Sequence, residues 1–245
     1  MPTATSTLTK QPSKTPQFPL KLSSPSLTIP IDNSPTTSTS ATLRSLYTRA
    51  ARAFVLRDVE TTSSLLLSAF AILKPPLSNP DALSDDRKKW DILRITFEST
   101  VYSSPPPSSN QLPESIRYLL TEAPQALVSS MYTRSLSLFA PSNEGKKSAT
   151  GHSYLPSQVL TTLVYCSLKV GTPDFARVMI EDWLARREPY DSSSGQSQGN
   201  ISGDGYDKVL ELYCLHILPK LGQWDYTKEF LEYESELPVR RREVR

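Results

Sequence analysis

Apolar residues recur at three- and four-residue spacing from residue 42 onward. In "TLRSLYTRAARAFVLRD", residues 42–58, the side chains of Leu43, Leu46, Tyr47, Ala50, Ala53 and Phe54 fall on one helical arc, while Arg44, Arg49 and Arg52 lie off it. The spacing predicts one amphipathic helix. Asp58 is placed to cap the next, "VETTSSLLLSAFAIL", which must end before Pro75 and Pro76 because proline cannot continue a helix. These two helices are expected to form a hairpin. Ser84 is expected to cap "DDRKKWDILRITFESTVY", whose Trp90, Leu93, Phe97 and Val101 make an apolar stripe and which Pro105 to Pro107 stop. Shorter helices are expected around "PESIRYLLTE" and "PQALVSSMYTRSLSLF", each opened by a proline suited to a first turn. The stretches near 104–112, 141–153 and 191–205 read as loops.

The second half contains a short repeat. "KVGTPDFAR" at 169–177 returns as "KLGQWDYTK" at 220–228. "PSQVLTTLVYCSLKV" reads as a helix that Gly171 closes in the left-handed conformation, after which Thr172 or Pro173 opens "DFARVMIEDWLARR" with Phe175, Ala176, Met179, Ile180 and Trp183 as its buried arc. "YDKVLELYCLHIL" runs toward Lys220 and Leu221, Gly222 ends it, and the following helix carries Tyr226, Phe230 and Leu231 at matching positions. Gly171 and Gly222 are therefore expected to be structural turns. The pattern predicts an all-α fold of stacked antiparallel helical hairpins, a tetratricopeptide-like bundle or short solenoid. The offset is longer than a regular tetratricopeptide repeat, so a true array is not expected.

Composition changes this picture at the ends. Residues 1–41 hold 24 Ser, Thr or Pro, no glycine and four charges (Lys10, Lys14, Lys21 and Asp32), too little apolar surface to offset the entropy of folding. They are expected to be a disordered tail before a helical domain at 42–238. Phe18, Leu20, Leu22, Leu27, Ile29 and Ile31 alternate inside the tail, either by chance or as a segment that docks on a partner. The tail lacks arginine and is broken by prolines, which argues against a transit peptide. Residues 239–245, "VRRREVR", form a basic end that could meet anionic lipid, nucleic acid or nothing. A net charge of +2 gives no general pull toward nucleic acid or membrane, and no nucleic-acid partner is expected. No stretch approaches the roughly 18 apolar residues needed to cross a bilayer, so the chain as given is expected to be soluble. Cys166 and Cys214 both lie in apolar runs and read as buried, reduced thiols.

Candidate chemistry is sparse. His152 and His216 are the only histidines, and neither sits in a metal-ligand pattern; no metal or cofactor is expected. No phosphate-binding loop or nucleophile elbow is present, Asp85 and Asp86 suit the first turn of a helix, and no catalytic residue is assigned; an enzyme is not expected. What remains is partner binding. Arg44, Arg49 and Arg52 could meet an acidic protein partner or simply form a solvated helix face, and "RKK" at 87–89 is a weaker candidate beside two aspartates.

The stretches "LYTRAARAFVLRD", "YLPSQVLTTLVYCSLKVGTPDFARVMIEDWLARR" and "LGQWDYTKEFLEYESELP" resemble the filamentous-fungal members of a peroxin family. That family comprises the tail-anchored peroxisomal adaptors, peroxin twenty-six in mammals and peroxin fifteen in budding yeast. The resemblance spans residues 42–238 and rests on packing motifs. It implies an adaptor on the cytosolic face of the peroxisomal membrane that docks the AAA-ATPase of peroxins one and six, through peroxin six, for recycling of import receptors. It also implies a C-terminal membrane anchor; the sequence departs from the family in showing no membrane helix, which fits either a truncated cytosolic region or a wrong assignment. The alternative is another cytosolic helical-repeat scaffold in a multiprotein complex.

Overall fold

The computed structural model describes residues 35–77, 81–107, 112–140, 155–187 and 205–237. The expected N-terminal tail up to residue 34, the loops at 141–153 and 191–204 and the basic end at 239–245 lie outside them. Every regular element among the described residues is helical. In chain order these are α1 (Pro35–Val55), α2 (Val59–Ile72), α3 (Ser84–Ser103), α4 (Glu114–Thr121), α5 (Pro124–Phe139), α6 (Ser157–Val170), α7 (Pro173–Arg186), α8 (Tyr206–Leu212), a π turn (Tyr213–Ile217), α9 (Leu218–Lys220) and α10 (Trp224–Tyr233).

Two layers of helices build the stack. α1 packs on α3, α3 on α6 and α6 on α8, while α2, α5, α7 and α10 return from them as second helices of hairpins, α5 by way of α4. α3 is the shared wall. Its Trp90, Leu93, Phe97 and Val101 close one core with Leu43, Ala50 and Leu66 of α1 and α2. Its Ile95 enters the larger core, in which Met131, Leu160, Leu163, Met179, Ile180 and Ile217 are almost wholly buried. Removing this apolar surface from water supplies the main driving force.

Three of the hairpins share one turn. At Gly171, φ is +81°; its amide donates to Leu168 O at 3.4 Å and the next amide, of Thr172, to Ser167 O at 2.9 Å. At Gly222, φ is +73°, with the corresponding bonds to Pro219 O at 3.0 Å and from Gln223 to Leu218 O at 2.9 Å. Both are Schellman closures, and the expected role of the two glycines is met. The third turn is at Arg57, φ +59°, bonded to Phe54 O at 3.0 Å with Asp58 N to Ala53 O at 3.0 Å. After each turn the same positions point inward: Thr62, Ala176 and Thr227, then Leu66, Ile180 and Leu231, then Ala69, Trp183 and Glu234 are all buried.

Several local expectations are met and others corrected. Asp58 caps α2 by accepting from Thr61 N at 2.9 Å. Ser84 does not cap α3: it is the first helical residue, Leu83 precedes it, and the carboxylate of Asp81 instead accepts from Leu83 N at 3.1 Å. Pro113 stands just before α4 rather than inside its first turn, whereas Pro124 and Pro173 do open α5 and α7. The helical unit begins at Pro35, seven residues before the expected boundary, because Ser, Thr and Ala continue a helix already held by Leu43, and Ser40 Oγ donates to Asp86 at 2.8 Å. Phe175 is half-buried and Tyr226 exposed. The run ending at Lys220 is interrupted by the π turn, in which Leu218 N reaches back to Tyr213 O. Pro219 has no amide hydrogen and its ring crowds the carbonyl of the preceding turn, which a widened turn relieves.

Candidate partner-binding surfaces

Arg44, Arg49 and Arg52 all stand on the exposed side of α1, opposite Leu43, Ala50 and Ala53. None has an ion-pair partner among the described residues. By contrast Arg87, in the third basic stretch, is buried: its guanidinium donates to Lys74 O at 2.8 and 3.1 Å and pairs with Asp81. It holds the α2–α3 connection and is no surface cation.

Two features that the periodicity did not single out adjoin the arginines. Val55 and Leu56, at the end of α1, are 78% and 70% exposed. Beside them a groove of about 420 Å³ opens between the α1–α2 turn and the end of α3, floored by Phe54, Val59, Phe97 and Val101 and walled by Pro105 to Pro107. Phe54 and Phe97 meet edge to face across its floor, with centroids 6.3 Å apart.

A second concavity, of about 520 Å³, lies among α2, α3, α4 and α5. Arg134 pairs with Glu98 through both its terminal nitrogens, and Arg94 pairs with Asp91 while its guanidinium lies 4.3 Å from the Phe70 ring centre. Asp91 is wholly buried, and burial raises its carboxyl above the usual range even against Arg94. Ser135 also acts on the Asp91 carboxylate as a hydrogen-bonding neighbour, and among the described residues Arg94 Nε has no hydrogen-bond partner.

Elsewhere the titratable groups tie helices together. Tyr132 donates to Asp182 at 2.6 Å, Tyr213 to Glu181 at 2.7 Å and Tyr206 to Glu234 at 2.6 Å. Burial, followed by the adjacent carboxylate, pushes all three phenols upward. Burial pushes the Cys166 thiol up to about 11 and the Cys214 thiol up to about 12. Thiols held in this form are poor nucleophiles, in keeping with a packing role. His216 is exposed on the π turn, while His152 lies outside the described residues. Among the described residues no group of three His, Cys, Asp or Glu is placed to hold a metal ion, and no helix is long and apolar enough to cross a membrane. No protein-family model, curated protein or solved structure matches the chain.

Proposed function

We propose that this chain is a docking adaptor that performs no reaction of its own, and specifically a peroxisomal adaptor holding the AAA-ATPase of peroxins one and six for import-receptor recycling. The observation that carries the adaptor reading is the row of exposed arginines on α1 that have no ion-pair partner among the described residues, presented by a helix whose other face is locked into the core. The peroxisomal identity is supported by the stretches of resemblance, which fall on α1, on the α6–α7 hairpin and on the turn into α10. In this reading peroxin six is the bound partner and a membrane anchor outside these residues fixes the complex to the peroxisome. A second reading, a scaffold in another multiprotein complex, is favoured by α10, whose outward side carries exposed Trp224 and Tyr233 on either side of Asp225, Glu229 and Glu232.

Affinity purification of the full-length product from its native cell, with mass spectrometry of the co-purifying proteins, separates the readings. Recovery of the peroxisomal ATPase subunits is expected; their absence beside some other complex sinks the peroxisomal assignment and leaves the scaffold. In a titration with purified ATPase, the charge-reversed pair R49E/R52E is expected to weaken binding about tenfold without lowering the melting temperature. Unchanged affinity would remove these arginines from the contact.

A further inference from the structure

The exposed side of α1 is more than a set of charges. Arg44, Thr48, Arg52 and Leu56 follow one another at four-residue spacing, and Arg49 and Val55 flank Arg52 three residues to either side, so all six share one side of the helix over about 18 Å. Between Pro35 and Arg57 the chain has four arginines and no acidic residue. Among the described residues the arginines of the row have no ion-pair partner, and the row ends in two exposed aliphatic side chains at the mouth of the groove, which Arg57 and Asp58 also line.

We propose that this stripe and groove form one docking site for an acidic amphipathic segment of a partner protein. Carboxylates of the segment lie over Arg44, Arg49 and Arg52, and an aliphatic or aromatic side chain passes Val55 and Leu56 to enter the groove against Phe54 and Val59. Charge complementarity selects the acidic partner and sets its register. The recessed groove selects a protein segment over other polyanions. A flat membrane surface does not reach a floor closed by Phe97 and the wall of Pro105 to Pro107, and a nucleic-acid backbone gains nothing from Val55 and Leu56. The inference rests on the docking reading, but not on the partner's being the peroxisomal ATPase.

The test is selection of phage-displayed random peptides of about 16 residues on the whole chain, long enough to follow the stripe as a helix. Enriched peptides are expected to be acidic, with apolar residues three or four apart. A labelled selected peptide is expected to lose about tenfold or more in affinity by anisotropy to R49E/R52E, and as much to V55S/L56S, with melting temperatures unchanged. Selection of peptides without acidic residues, no enrichment, or full binding by both variants would overturn the proposal. So would flotation of the chain with phosphatidylserine vesicles, abolished by R49E/R52E, in place of peptide binding. If the peptides fail while the ATPase subunits or another complex still co-purify, docking stands on another surface; if the peptides fail and no complex co-purifies, the docking reading falls with it.

Discussion

Arg57 occupies the left-handed position that glycine fills in the two matching turns, and a residue with a Cβ pays about 1–2 kcal/mol to stand there. Arg57→Gly relieves that strain while loosening the unfolded chain by about 0.5–1 kcal/mol, so a net gain of about 0.5–1 kcal/mol is expected in denaturant unfolding. A loss would mean that the guanidinium stem holds the turn in some other way. The reverse experiment applies to Gly171 and Gly222, where an added Cβ would meet nothing within 4 Å. The cost of substitution there is conformational alone. Alanine at either position is expected to cost about 0.5–1 kcal/mol net, the strain of positive φ less the gain from a stiffer unfolded chain, and valine more, because a β-branched side chain resists positive φ. Unchanged melting temperatures for both valine variants would show that these turns tolerate another geometry.

At the scale of the element, α2, α7 and α10 are three versions of one returning helix. The residue five places after each left-handed turn is small and buried: Thr62, Ala176 or Thr227. The hydroxyls of Thr62 and Thr227 bond the carbonyl four residues back, at 2.6 and 2.9 Å, so each fills its place without an unsatisfied polar group. A small side chain here lets the returning helix approach its partner closely. Ala176→Leu is expected to overpack the α6–α7 interface and cost about 1–3 kcal/mol, measured by urea unfolding, whereas Ala176→Ser should be tolerated far better. Equal stabilities for the two variants would show that α6 and α7 have slack at this crossing.

Across the whole molecule, two thiols and three phenols with raised pKa values are spread over the larger core and its rim, and their effect on stability has one sign. Each is an acid whose folded value exceeds its ordinary value of 9.0 or 10.0, so the unfolded chain releases these protons first. Stability is fully present below about pH 9 and falls as the pH rises toward the folded values. The urea midpoint is expected to be lower at about pH 10.5 than at about pH 8, and the C166A/C214A pair, though less stable at the lower pH, should show a smaller fall. A midpoint level across that range would mean that the groups ionise alike in both states. The stack lets such effects add, since α3 belongs to both cores and links the α1–α2 hairpin to the rest.

The sequence by itself determined the helical class, the α1–α2 hairpin, the capping of α2 by Asp58 and the two glycine turns, because these depend on spacing and on residues with strong local preferences. It also placed the three arginines on the outer side of α1, since helical period alone separates them from Leu43 and Ala50. Only the tertiary structure decided that Arg57 makes the third turn, since nothing local marks an arginine for positive φ. It likewise decided that Arg87 is buried and that Val55 and Leu56 remain uncovered beside a groove. Those outcomes depend on which distant helix arrives against a residue: Phe97 and Pro105 to Pro107 build the groove from a segment far along the chain, and no period within α1 encodes their approach.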